Sequence, residues 1–132
     1  MRERVPSSAI VGVARLERYR LTWDKPGADG SGKANIAPCP ESVVWGVVYG
    51  LEPGEWLRLD ACEPGYARTS IEVTLADEIV SCVTYRASGT SATALPFEWY
   101  RSLVIEGARH HGLPETYVRG LETIPIQPDD RD

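Results

Sequence analysis

The run from Ser42 to Tyr49 constrains the fold more than any other segment, because five of its eight residues are valine or tryptophan. A short, continuous and β-branched apolar run is typical of a strand that is buried on both faces. Alternating or β-branched segments predict further strands at residues 11–14, 18–24, 33–38, 71–75 and 79–86. The sequence therefore predicts five or six strands.

Helical patterns lie at residues 53–63, 96–111 and 113–124. Because strands outnumber the helices that could serve as crossovers, a doubly wound parallel sheet is disfavoured. We predict an α+β fold: a small mixed or antiparallel β-barrel, or a curled sheet of five to six strands, flanked by helices. Residues 1–124 would form a single domain, and residues 125–132 would be a disordered C-terminal tail.

The composition excludes several classes of function. A net charge of −5 argues against a nucleic-acid partner or an anionic membrane surface. No apolar run approaches the roughly 20 residues that cross a bilayer, and the N-terminus lacks the apolar region of a signal peptide. Cys39, Cys62 and Cys82 are far apart and do not have zinc-ligand spacing. We expect reduced thiols, a cytoplasmic location and no metal.

Two further motifs favour structural interpretations. Residues 27–34 resemble a phosphate-binding loop, but Ala34 stands where a hydroxyl side chain would bind magnesium. The residues that follow look extended rather than helical, so we predict a loop between strands. The pair His110-His111 falls in the last turn of a predicted helix, where an imidazolium is favoured by the helix dipole.

Glu63 is the strongest candidate for a catalytic residue. In a helix from Pro53 to Glu63, it would follow Leu59 by four residues and Trp56 by seven, which directs its carboxylate inward. Pro64 should end the helix and leave Glu63 at its mouth, a suitable place for a general base. The alternative is a surface carboxylate beside Arg58 or Arg68.

Three tyrosines are candidates to line the same cavity. They are Tyr66, Tyr85 and Tyr100. Each also has an ordinary core interpretation, the first two on strands and the third on the apolar face of a helix. A buried phenol needs a hydrogen-bond partner in either case.

Several short motifs, in order, resemble the γ-glutamylcyclotransferase family from about Met1 to Leu121. They are Gly-Ser-Gly-Lys-Ala-Asn-Ile (30–36), Val-Trp-Gly-Val-Val-Tyr (44–49), Leu-Asp-x-x-Glu (59–63), Gly-Tyr-x-Arg (65–68), Pro-x-x-x-Tyr (96–100), Gly-Ala (107–108) and Gly-Leu-Pro-x-x-Tyr-x-x-x-Leu (112–121). The order and spacing of the set carry the resemblance, not any single motif.

The resemblance implies a small barrel flanked by helices, no cofactor, and release of 5-oxoproline from a small-molecule γ-glutamyl substrate. Glu63 matches the catalytic glutamate of the family and would act as general base and then acid. Tyr85 and Tyr100 match positions near this carboxylate, and Gly65 and Tyr66 would help to shape the pocket. A homodimer is also implied. Which γ-glutamyl compound is used is not encoded in any motif.

One departure from the family concerns the N-terminus. Family members normally begin with a strand and a Tyr-Gly-Ser-Asn loop that binds the glutamyl group, whereas Met1 to Arg4 match the segment that follows that loop. Either upstream residues are missing from the sequence, or the protein is a variant without the loop. Two alternatives to an enzyme follow: a catalytically silent small-molecule-binding module, or a protein that acts through an exposed sheet edge.

Overall fold

The structure is a computed structural model that describes residues 9–130. Four strands and three α-helices follow one another in this part of the chain: β1 (Ala9–Pro26), β2 (Gly32–Gly50), α1 (Trp56–Ala61), β3 (Ala67–Leu75), β4 (Glu78–Arg86), α2 (Glu98–His110) and α3 (Glu115–Glu122). The strands form one antiparallel sheet in the order β2-β1-β3-β4. The predicted α+β architecture with a curled antiparallel sheet is confirmed.

The sheet has fewer strands than predicted because β1 and β2 are long and continuous. Each contains two of the predicted strands. The predicted strands join at the point where the pairing register between β1 and β2 shifts. Glu17 pairs with Val43, whereas Tyr19 pairs with Pro38. Arg18 lies between these pairs with a φ of 68°, so β1 bends at this point without ending. Polar residues that look like strand breaks in the sequence therefore mark an irregularity inside a strand.

The β3–β4 hairpin has a two-residue loop. Leu75 pairs with Glu78, so the loop consists of Ala76 and Asp77. Both loop residues have positive φ, at 50° and 67°. This combination matches a type I′ turn, whose twist suits the flanking strands.

The predicted helices are present but shorter than expected. The segment 53–63 begins as a 3₁₀ turn at Pro53–Glu55 and continues as α1, which ends at Ala61. Helices α2 and α3 pack against β1 in an apolar cluster of Trp23, Ile105, Ala108, Val118 and Leu121. A second cluster, Ala14, Leu16, Ile36 and Val73, covers the inner face of the sheet. The site described below lies over this second cluster.

The segment that follows α3 packs against the body of the protein as far as Asp129. The Gln127 amide donates to the Pro96 carbonyl at 2.9 Å, and the Trp99 indole donates to the Asp129 carboxylate at 2.8 Å. These contacts link residues 127 and 129 to the start of α2. Residues 131–132, and Met1 to Arg4 at the other terminus, lie outside the described residues. Within the described part, no helix is long and apolar enough to cross a membrane.

Candidate active site

A cavity of about 630 Å³ lies in the concave side of the curled sheet. Its floor is apolar and includes Leu16, Ile36 and Val73. Four of the five residues predicted for the site line this cavity: Glu63, Tyr66, Tyr85 and Tyr100. The structure thus brings together, on one apolar surface, side chains that are widely separated in the sequence.

The cavity lies between the two edge strands of the sheet, β2 and β4, which approach each other. Consecutive residues line it on both β2, at 46–49, and β4, at 82–85. Because neighbouring side chains on a strand point to opposite faces, consecutive lining residues indicate that these strands present their edges to the cavity.

Glu63 reaches the cavity from the turn after α1, not from the helix itself. Helix α1 ends at Ala61, so the predicted continuation to residue 63 is wrong. Two further backbone bonds of the 3₁₀ kind extend the chain past this end, from Cys62 to the Leu59 carbonyl and from Glu63 to the Asp60 carbonyl, at 2.9 and 3.1 Å. These bonds preserve the direction of the helix, so Glu63 still shares the cavity with Leu59.

Gly65 contributes backbone geometry rather than a wall of the cavity. The Tyr66 amide donates to the Glu63 carbonyl at 3.2 Å, which closes a turn around Pro64 and Gly65. Gly65 has a φ of 84°, and proline followed by glycine at such a φ is typical of a type II turn. The turn fixes the direction in which the chain leaves Glu63.

Tyr66 and Tyr100 bind the two polar groups of a single β2 residue. The Tyr66 hydroxyl donates to the Ala34 carbonyl at 2.6 Å, and the Tyr100 hydroxyl accepts from the Ala34 amide at 3.0 Å. The Lys25 ammonium lies 5.4 Å from the centre of the Tyr66 ring, within cation–π distance. Both phenols are therefore held in place by the backbone of the sheet.

Tyr85 binds a different carboxylate from the one expected. Its hydroxyl donates to Asp60 Oδ1, and Arg68 donates to both oxygens of the same carboxylate, from Nε at 2.9 Å and from Nη2 at 2.5 Å. Sequence reasoning gave Asp60 no role, although it stands in the Leu-Asp-x-x-Glu motif. The spacing within the motif does not reveal the contact, because Arg68 and Tyr85 come from the β3–β4 hairpin.

The surface interpretation of Glu63 placed it beside Arg58 or Arg68. In the structure, the Arg58 guanidinium pairs with Glu55 at 3.5 Å, and the Arg68 guanidinium pairs with Asp60. Glu63 itself is half-buried at the cavity. The cavity interpretation is therefore the one that the geometry favours.

The electrostatic environment of the cavity keeps the phenols of Tyr66 and Tyr85 protonated. Burial, together with the charges of Tyr100, Glu63 and Asp24, raises the pKa of Tyr66 well above its usual range. Burial and the Asp60 carboxylate raise the pKa of Tyr85 to about 12. Burial also raises the pKa of the Cys82 thiol, which lines the cavity, so this thiol is a poor nucleophile.

The two motifs interpreted as structural lie mostly outside this cavity; only Ala34, the last residue of the segment that resembles a phosphate-binding loop, lines it. The segment resembling a phosphate-binding loop connects β1 to β2 and leads into a strand, as predicted, with Lys33 paired to Asp29 at 3.0 Å. His111 lies at the end of α2 and borders a smaller apolar pocket, with Nε2 3.4 Å from the Tyr49 hydroxyl. Among the described residues, no group of three or more His, Cys, Asp or Glu side chains could hold a metal ion.

Comparison with known proteins places this chain in a family. The model of the AIG2-like family matches residues 43–121, more than half of the chain. The γ-glutamylcyclotransferases of Bos taurus and Homo sapiens are 29% and 30% identical to it, over 96% of this chain and 71% of each relative.

Solved structures agree with this result. A γ-glutamyl cyclotransferase superposes with a TM-score of 0.87 at 26% identity, over 98% of this chain and 81% of that one. A human protein gives a TM-score of 0.87 at 28% identity, over 99% and 82%. The chain therefore belongs to the AIG2-like, γ-glutamylcyclotransferase family of enzymes.

Proposed function

We propose that this protein is a γ-glutamylcyclotransferase-type lyase that converts the γ-glutamyl group of γ-glutamyl amino acids or amines into 5-oxoproline and releases the free amine. One observation carries the proposal: a half-buried carboxylate, Glu63, lines an apolar cavity together with four tyrosines, Tyr66, Tyr85 and Tyr100 among them. The family membership supports the same reaction class.

The reaction requires one proton to be moved between two nitrogen atoms of the same substrate. The substrate's α-amino nitrogen attacks its own γ-carbonyl carbon, and the new C–N bond closes a five-membered lactam. The Glu63 carboxylate takes a proton from the attacking nitrogen as general base. It then gives this proton to the departing nitrogen as the original amide C–N bond breaks. The protons balance, and the reaction consumes no oxidant, reductant or second substrate.

The modest set of side chains is sufficient for an intramolecular reaction. A folded glutamyl chain already holds the nucleophile beside the carbonyl, and such proximity accounts for a large part of a rate enhancement. The cavity has to select this folded conformer and exclude water from it. The phenols of Tyr85 and Tyr100 orient the substrate, while Gly65 and Tyr66 fix the shape of the wall next to Glu63.

The test is a product assay with a panel of γ-glutamyl amino acids, γ-glutamylamines and glutathione. The released 5-oxoproline and the released amine are measured separately, and they should form in equal amounts. Release of glutamate instead of 5-oxoproline would indicate hydrolysis and contradict the proposal. Calorimetry on the same panel identifies the alternative, because a silent binding module would bind a γ-glutamyl compound without turnover.

A further inference from the structure

Asp60, whose partner Tyr85 lines the cavity, accepts three hydrogen bonds although its side chain is partly exposed. Its side chain is 37% exposed, yet both of its oxygens accept from Arg68 and one accepts from the Tyr85 hydroxyl. Two planar hydrogen bonds from one guanidinium fix the orientation of a carboxylate better than any single contact. Asp60 is therefore held in one orientation towards Tyr85.

The residues of this cluster come from helix α1 and from both strands of the β3–β4 hairpin. Arg68 on β3 and Tyr85 on β4 are direct partners in the antiparallel ladder, so their side chains lie on the same face. Asp60 comes from α1, and Arg68 also stacks on the Trp56 ring of that helix at 4.8 Å. The cluster ties the short helix before Glu63 to the hairpin that carries Tyr85.

The direction of the hydrogen bond between Tyr85 and Asp60 decides what Tyr85 can offer a ligand. A phenol has one proton to donate, while its oxygen can also accept. Because an ionised carboxylate can only accept, the Tyr85 proton is committed to Asp60. Tyr85 lines the cavity, and its oxygen, which also interacts with Arg68, can therefore offer a ligand there only a lone pair. Its partner on a ligand has to carry an N–H or O–H group.

We propose that Asp60, clamped by Arg68, is a positioning residue that turns Tyr85 into a hydrogen-bond acceptor for the α-amino group of the substrate. This proposal rests on the proposed function. It deepens that function by assigning the amine to a subsite between two acceptors, the Tyr85 phenol and the Glu63 carboxylate. The phenol holds an N–H of the nucleophile while Glu63 removes a proton from the same nitrogen.

A double-mutant cycle tests whether Asp60 acts through Tyr85. Asp60→Asn and Tyr85→Phe should each lower kcat/KM by about tenfold or more, as expected for a lost charge-assisted hydrogen bond. The double variant should be no more than about twofold worse than Tyr85→Phe alone, since Asp60 has nothing left to position. Losses that multiply would show that Asp60 acts independently and would overturn the proposal.

The matched control breaks a different arginine–carboxylate ion pair. Glu17→Gln breaks the Arg15–Glu17 ion pair on β1, whose two atoms are 3.1 Å apart. Its kcat/KM should stay within about twofold of the original protein, because exposed ion pairs contribute little. If Asp60→Asn fails to fold, Arg68→Lys replaces it, since lysine keeps the charge but loses the two-pronged contact. Arg68→Lys should lower kcat/KM, and this loss should also disappear in the Tyr85→Phe background.

A second readout does not depend on turnover. The ionisation of Tyr85 can be followed by NMR of ¹³Cζ-labelled tyrosine from about pH 9 to about pH 12.5, a range that includes the raised pKa of Tyr85 in the original protein, with Tyr85→Phe assigning the signal. Asp60→Asn should lower the pKa of Tyr85, because the carboxylate that opposes the phenolate is gone. An unchanged titration would contradict the positioning role. Inactivity of the original protein on the whole panel would instead refute the proposed function, and the titration would still report on the Tyr85–Asp60 contact.

Discussion

The backbone amide of Tyr66 lies 3.2 Å from the carbonyl oxygen of Glu63, so the proposed base and one wall of its cavity are the two ends of a single turn. The position of Glu63 therefore depends on the conformation of the backbone between α1 and β3. Changes to this short segment should therefore affect stability and catalysis together.

The positive φ of Gly65 makes it the most sensitive backbone position of the turn. Gly65→Ala should destabilise the protein by about 1 kcal/mol or more, since an L-residue is strained at such a φ. Urea denaturation measures the change. The control is Gly120→Ala in α3, which has no atom within 4 Å of the added methyl group and should stabilise by about 0.5–1 kcal/mol. Equal effects of the two substitutions would contradict this account of the turn.

Leu59 anchors the helix that leads to Glu63. Helix α1 has six residues, too few to be stable without packing, and Leu59 is its buried residue, at 2% exposure. Leu59→Ala should cost about 2–5 kcal/mol and lower kcat strongly. Leu121→Ala, in the cluster between α3 and β1, should cost a similar amount of stability and leave kcat nearly unchanged in the folded fraction. Equal losses of kcat would show that α1 does not position Glu63.

The Asp60 cluster gives the protein an acid-sensitive contact. The hydrogen bonds from Arg68 and Tyr85 lower the pKa of Asp60 to about 2. A carboxylate with a lowered pKa stabilises the folded state above its unfolded pKa of about 3.9, and this contribution is lost as the pH falls towards 2. As the pH falls from about 4 to about 2, the free energy of unfolding should therefore decrease less for the Asp60→Asn variant than for the original protein. If the unfolding free energies of the variant and the original protein changed in parallel across this range, the account would be contradicted. The Glu17→Gln variant shows how strongly the loss of an exposed carboxylate alone alters the pH dependence.

Much of the architecture could be predicted because apolar alternation and β-branching report directly on which residues face the core. The strand count was wrong because the sequence signal for a bend, at Arg18 and its partners on β2, resembles the signal for a strand end. Glu63 lines the cavity, although its helix ends earlier than the spacing predicts. The 3₁₀-type bonds after α1 explain why Glu63 still lies where a helix extended to residue 63 would place it.

The contacts of the tyrosines could not be predicted, because they depend on distant segments. The partner of Tyr100 is the backbone of Ala34, and the partner of Tyr85 is Asp60. Such pairs are set by how the hairpins and helices pack, which periodicity does not report. The roles of the site residues, a homodimer and a cytoplasmic location stay predictions; light scattering of the purified protein tests the dimer.

The most direct test of the account is the replacement of the proposed base. Glu63→Gln keeps the size of the side chain but cannot take up the proton of the attacking amine, so 5-oxoproline release from the best substrate should fall by at least about a hundredfold. Circular dichroism and the unfolding midpoint should stay close to those of the original protein. Glu52→Gln, an exposed glutamate just before α1, should retain full activity. A Glu63→Gln variant that is folded and as active as the original protein would contradict the central claim.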